Sequence, residues 1–323
     1  MADYKFQHYV QRAYLEQWAE NGQIKIVNKK TNKNFSNNVT KAFGANDFYS
    51  IRHNEPLLIS DENVDKVFKF LEDFEVYHYD KRLETSDDFR TCIQWFDNWI
   101  IMKDGVCVEH NYIKQRLYEN RLIDIEIGWH KVEGKFHTIK SELEKLYYDT
   151  EYELNGETIS DLYDYIVSSS FRNPHAFNRC KIYIDNYWSK DGEIVFCKEV
   201  DASLKEEFTS FLFKKTIIDY QNGIRNNIMG YQLHEISTKQ LVFIFARGSE
   251  KFITSDNPVF TIINEETEPQ YTYFPLTPNI LVGIFYLDKK IDFAFIDYPD
   301  SEIDFINREV INNCYEYYVK LNE

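Results

Sequence analysis

Gln240-Leu-Val-Phe-Ile-Phe-Ala246, Pro258-Val-Phe-Thr-Ile-Ile263, Ile280-Leu-Val-Gly-Ile-Phe-Tyr286 and Ile291-Asp-Phe-Ala-Phe-Ile296 follow one another in the last third of the chain. Each is short, rich in β-branched and aromatic residues, and bounded by turn signals such as Ser255-Asp256-Asn257-Pro258 and Pro275-Leu-Thr-Pro278. Such runs read as strands of an antiparallel sheet. Upstream the period is different. Val64, Val67, Phe68, Leu71 and Phe74 recur at three and four, as do Phe89, Cys92, Ile93, Phe96, Trp99 and Ile100. Those spacings predict amphipathic helices. Further helices are expected over 111–124, 136–148 and 159–169, and a long one opens at Ser203-Leu-Lys-Glu206, a capping-box match. A last helix is expected over 302–317.

The N-terminal stretch reads as a short helix over 6–18, then a strand Gln23-Ile-Lys-Ile-Val-Asn28, a Lys/Asn-rich turn and a return strand over 35–39. The expected architecture is α+β in three parts. Residues 1–58 form a small α/β-hairpin piece and 59–230 a helical body. Residues 231–323 form a C-terminal antiparallel sheet with a closing helix, and this sheet packs with the N-terminal segment, because a lone hairpin cannot bury itself.

The chain has 323 residues, 37 Lys and Arg against 53 Asp and Glu, and 43% hydrophobic residues. That content supports a packed core and excludes wholesale disorder. No apolar run approaches the ~20 residues that cross a bilayer, and the first fifteen residues lack an apolar signal region, so a cytoplasmic protein without membrane insertion is expected. The cysteines, Cys92, Cys107, Cys180, Cys197 and Cys314, are odd in number and widely spaced. Buried, reduced thiols and no zinc are therefore expected. A net charge of −16 disfavours general polyanion binding. Residues 1–45 depart from that balance, with seven basic side chains against three acidic ones. This basic edge could receive a phosphate, a nucleotide or a nucleic-acid strand.

Phosphate-cradling glycine loops, a His-Glu-x-x-His helix and a Gly-x-Ser-x-Gly elbow are all missing. Three other segments stand out. In His8-Tyr-Val-Gln-Arg12-Ala-Tyr-Leu15 a helix would put His8 and Arg12 on one face, a pairing suited to anion binding or proton transfer. Phe252-Ile-Thr-Ser-Asp256-Asn-Pro-Val259 delivers Asp256 at a strand end, although these are also ordinary turn residues. Phe171-Arg172-Asn-Pro-His175 adds a second Arg and His beside a helix terminator.

Together with Asp47-Phe48-Tyr49 and Glu75, these segments resemble a bacterial domain-of-unknown-function family whose members open with a HYVPRFYL motif and carry ITSDNPV near the C-terminus. The chain departs from that pattern at Gln11 and Ala13. The resemblance implies a bacterial or phage-related protein, with some members encoded near phage-defence genes. Two functions follow as alternatives. One is a binding module, a sensor of a phage component or a partner protein, for which 24 Tyr and 5 Trp provide interface material. The other is a phosphodiester- or nucleotide-cleaving enzyme, a defence nuclease. Here His8, Arg12, Arg172 and Asp256 would be catalytic, and Glu75 with Asp256 would hold Mg²⁺.

Overall fold

The computed structural model describes residues 6–46, 48–49, 61–121, 123–190, 202–263, 270–285 and 294–321. Asp47, Cys197 and the start of the strand expected at 291–296 lie outside them. In chain order the strands are β1 Phe6–His8, β2 Gln23–Asn28, β3 Asn34–Asn38, β4 Gly44–Asn46, β5 Glu75–His78, β6 Lys81–Leu83, β7 Trp99–Lys103 and β8 Val106–Cys107. They continue as β9 Gln240–Ala246, β10 Thr254–Ser255, β11 Phe260–Ile263, β12 Gln270–Thr277, β13 Ile280–Phe285, β14 Ala294–Tyr298 and β15 Tyr317–Lys320. The helices are α1 Arg12–Leu15, α2 Asp61–Phe68, α3 Ser86–Cys92, α4 His110–Arg121, α5 Ile123–Tyr148, α6 Gly156–Phe171, α7 Pro174–Lys190, α8 Ala202–Gln221, α9 Ile228–Ser237 and α10 Asp300–Asn313. The class is α+β, as the sequence predicts. No helix among the described residues is long and apolar enough to cross a membrane.

The chain divides into two discontinuous units. The first comprises residues 1–7, 46–129 and 181–222, and the second 8–45, 130–180 and 223–323. In the first unit β5 pairs with β6 and β7, and β7 with β8, all antiparallel. Strand alternation explains the burial: Val76, Leu83, Trp99 and Ile101 enter a core with Phe68, Phe89, Phe96 and Leu117, while Ile100 points out. This sheet lies within the stretch expected as a helical body, which it interrupts between α2 and α4. The spacing of Phe89 to Phe96 continues by coincidence into Trp99 and Ile100, which belong to a strand. Helix α3 begins at the Thr85–Asp88 capping box. Lys81 and Thr85 hold the Asp88 carboxyl down to about 2.

Among the described residues the second unit holds a five-stranded and a four-stranded sheet. One has the order β11-β12-β13-β9-β14, antiparallel except for the parallel β14–β9 pair. Every residue of β9 and β13 is buried, as expected of strands covered on both faces. Val242, Ile244 and Ala246 share a cluster with Ile303, Ile306 and Val310 of α10. On the alternate face Phe245 meets Tyr147 of α5 edge-on at 5.4 Å. Strand β12 takes in Pro275, which the sequence reading put in a turn. A register shift between Pro275 and Thr277 accommodates the residue that has no N–H to donate.

The other sheet has the order β10-β15-β2-β3. The β2–β3 hairpin follows the sequence reading, and β2 then pairs with β15 at the far end of the chain. Helix α10 stops at Asn313 rather than running on to Tyr317. Among the described cysteines, Cys92, Cys107, Cys180 and Cys314 are free thiols, but Cys107 is exposed, contrary to the buried set expected.

Candidate functional site

The three marked segments all lie in the second unit, and they meet there through Arg172 with His8, Asn173 with Asn257 and Tyr14 with Thr254. The first does not form the expected helix over 6–18. His8 ends strand β1, Gln11 is extended with φ −61° and ψ 138°, and α1 is a single turn. His8 and Arg12 therefore share no helical face. Arg12 lies at the surface, its Nε donating to Glu16 at 2.9 Å with a side chain 58% exposed.

Arg172, at the end of α6, is 2% exposed. Its Nε donates to the His8 carbonyl at 2.9 Å, and its Nη1 pairs with Glu133 of α5. Burial, and next the Arg172 guanidinium, hold the His8 imidazole below its ordinary value. Tyr165, two turns before Arg172 on α6, donates to Gln11 Oε1, and burial raises its phenol far above the usual range. Gln11 Nε2 and Ser168 Oγ are buried without a hydrogen-bond partner among the described residues. The resulting arrangement is a partly buried polar cluster of His8, Gln11, Glu133, Tyr165 and Arg172, with Ser168 between the last two on α6, in which one cation and one carboxylate offset each other.

Asp256 follows β10 and is 1% exposed. Its Oδ1 accepts from the Tyr315 main-chain N–H at 2.7 Å, and its Oδ2 from those of Glu316 at 2.7 Å and Tyr317 at 2.8 Å. Its own N–H donates to the Tyr317 carbonyl at 3.0 Å. Burial pushes the carboxyl up to about 6, against the opposing pull of those three donors. Asp256 thus clamps the chain reversal between α10 and β15.

The neighbouring asparagines extend the tie. Asn173 Nδ2 donates to Asn257 Oδ1 at 3.2 Å, and Asn257 Nδ2 to the Asn313 carbonyl at 2.9 Å. Tyr14 hydrogen-bonds with Thr254 Oγ1 at 2.6 Å and donates to the Pro275 carbonyl at 2.7 Å, while Trp18 Nε1 donates to the Phe252 carbonyl at 2.8 Å. Buried polar atoms of these segments are therefore spent largely on one another and on main chain.

Glu75, the other suggested Mg²⁺ ligand, is on β5 in the first unit. Among the described residues no group of three or more His, Cys, Asp or Glu is arranged to hold a metal ion. A carboxylate has about four lone-pair directions, and Asp256 uses three on N–H groups. That leaves Asp256 at most one free direction, poorly suited to holding Mg²⁺. Glu133 and Tyr165 carry no sequence signal. Their partners are 39 and 154 positions away, a tertiary fact that no local pattern encodes.

The fold and this cluster define an α+β protein whose marked segments form a buried hydrogen-bonded core. Residues 7–322 match the family described as a protein of unknown function (DUF4238), and the chain belongs to that family. Searches of curated proteins and of solved structures give no match.

The lowered His8 value gives a signed pH prediction. The folded state disfavours the imidazolium, so the unfolded chain binds more protons just below the ordinary histidine value of about 6.5. Stability from His8 is full above that pH and falls as the solution is acidified through the folded value. His175 acts in the same direction. Asp256, with its raised value of about 6, acts in the opposite direction below that pH. Melting temperatures measured stepwise from neutral pH down to about 6, above the range in which Asp256 opposes the trend, should decline, and His8→Gln should shallow the decline. An unchanged slope in the variant would contradict a His8 imidazole held below its ordinary value.

Proposed function

We propose that the protein is a non-catalytic binding module, a cytoplasmic component of bacterial phage defence that senses a phage component or a partner protein. The observation that carries this reading is the Asp256 carboxylate, met by three main-chain N–H groups at 2.7–2.8 Å. A general base or a metal ligand needs a lone pair directed at substrate or ion, whereas this carboxylate is directed at its own chain. Arg172 supports the reading in the same way, its guanidinium engaged by Glu133 and the His8 carbonyl.

The second reading, a nuclease or nucleotide-cleaving enzyme, draws on one observation. His8 is held below its ordinary value beside a fixed guanidinium, as suits a base near a phosphate. Its nucleic-acid contact would come from the basic edge, including Lys25, Lys30 and Lys33.

The experiment that separates the readings uses phage protection and nucleic-acid cleavage, both measured per folded molecule for wild type and Asp256→Asn. The binding reading expects no cleavage of DNA or RNA with Mg²⁺, and protection that falls only with the folded fraction. Cleavage by the wild type that drops ~100-fold or more in a fully folded Asp256→Asn variant would overturn it.

A further inference from the structure

Helix α7 opens on Pro174, and the Asn173 side chain caps it by accepting from the Ala176 N–H at 3.0 Å. His175 and Arg179 stand four residues apart on its first turns and so share a face. The Asn173 amide donates to Asn257, which in turn donates to the Asn313 carbonyl at the end of α10. Lys29, just past β2, comes to the same end of α10. Its ammonium donates to the Asn312 carbonyl at 2.6 Å and, more weakly, to that of Cys314 at 3.4 Å. The asparagine tie thus sets the Lys29 ammonium beside the start of α7. All three residues belong to the second unit. Burial, then the Arg179 guanidinium and the Lys29 ammonium, hold the His175 imidazole below its ordinary value.

What these groups lack is a counter-charge. Arg179 is exposed, and its one hydrogen bond among the described residues runs from Nη2 to the Ser170 carbonyl at 3.1 Å. A guanidinium has five N–H donors, so most of its fork has no acceptor there. The nearby carboxylates are engaged elsewhere: Glu309 accepts from Asn312 Nδ2 and Glu316 from Asn28 Nδ2, each at 3.0 Å. Neither forms an ion pair with Lys29, His175 or Arg179 among the described residues. Two cations and an imidazole gathered without a counter-ion attract an oxyanion. Their donors come from separate side chains, a guanidinium fork, a ring N–H and an ammonium, which suits the several oxygens of a phosphate. A net charge of −16 disfavours a long polyanion, so one phosphate group fits better than a strand. We propose that Lys29, His175 and Arg179 form a binding site for a single phosphate group, free or carried by a small molecule. The inference goes beyond the binding reading above and does not depend on it.

The test is calorimetric titration of the full chain with inorganic phosphate and, separately, with adenosine monophosphate, at about 0.15 M salt, where diffuse attraction is screened. One saturable site is expected, with a dissociation constant of about 1 mM or tighter. Equal affinities assign the site to free phosphate, and tighter binding of the nucleotide assigns it to a phosphorylated small molecule. Arg179→Gln should weaken binding about tenfold or more, as loss of a charge-assisted contact implies. Arg179→Lys keeps the charge but not the fork and should cost about threefold. The control Lys30→Gln with Lys33→Gln removes two exposed charges from the β2–β3 hairpin, leaves the three groups in place and should cost about twofold or less. Saturating phosphate should also raise the pH at which the His175 ring titrates, read from its proton resonance, because the anion offsets Arg179 and Lys29.

No saturable binding, or equal losses in Arg179→Gln and the control, would overturn the proposal. So would a His175 titration that phosphate leaves unmoved, or an unphosphorylated single-stranded oligonucleotide that binds more tightly than the monophosphate. None of these outcomes touches the Asp256 clamp, whose own test is stability, so this site can fail while the binding reading stands.

Discussion

Asp256→Asn should lower the stability of the protein by about 3 kcal/mol, the largest loss expected from any isosteric change in the marked segments. The carboxylate accepts three main-chain N–H groups, one on Oδ1 and two on Oδ2, in a site 1% exposed to solvent. Asparagine has the same shape but one oxygen. Whichever way the amide turns, its NH₂ group faces at least one N–H, which is left buried and unpaired at a cost of about 1–3 kcal/mol. The weaker bonds to the neutral oxygen are offset by the desolvation cost that the neutral amide escapes, so the unpaired N–H carries most of the loss. The affected N–H groups belong to Tyr315, Glu316 and Tyr317, where the chain leaves α10 and enters β15, so the β15–β2 and β15–β10 ladders should loosen together. Chemical denaturation of wild type and variant gives the number directly. A change below about 0.5 kcal/mol, the range of ordinary surface substitutions, would contradict the clamp.

Arg172→Met should cost a similar amount, about 3 kcal/mol, because it removes one partner of a largely buried ion pair and the donor to the His8 carbonyl. Glu133 retains 28% exposure and can reach water, which keeps the loss at the lower end for such pairs. The informative variant is the double one. Arg172→Met with Glu133→Leu replaces the pair by apolar groups of similar size, and stability should recover the part due to the stranded carboxylate, leaving about 1 kcal/mol or somewhat more for the His8 carbonyl that has lost its donor. A double variant as unstable as the sum of the single ones would show that Arg172 and Glu133 act on different partners.

Local chemistry explains what was readable in the sequence. Continuous apolar runs at 240–246 and 280–285 have one stable fate, strands covered on both faces, and they form β9 and β13. The β2–β3 hairpin was visible because turn residues separate two short strands, and α6 was visible from 159 to 169, while its Asn155 cap was not picked out. Short elements were not readable. Strands β5 to β8 have two to five residues each, too few for alternation to outcompete a chance helical spacing across Phe89 to Ile100. Pro275 hid β12, and the i, i+3 spacing of α10 ran into residues that the Asp256 clamp turns into β15.

The candidate site was legible in its chemical types but not in its pairings. His8 and Arg172 were picked from separate segments and lie 2.9 Å apart, main-chain oxygen to guanidinium. Arg12 carries the same charge, yet it pairs with Glu16 one turn away, since one helical turn at the surface leaves it nothing else to reach. Glu133 and Tyr165 had no signal because their roles exist only after α5, α6 and the N-terminal strand have packed.

The most direct measurement of the central claim, that Asp256 spends its charge on the fold, is hydrogen exchange at the amides of Tyr315, Glu316 and Tyr317. The structure predicts strong protection at all three in the wild type, lost selectively in Asp256→Asn while the β9 amides stay slow. Exchange at these three amides as fast as in an open loop, or protection that Asp256→Asn leaves unchanged, would contradict it.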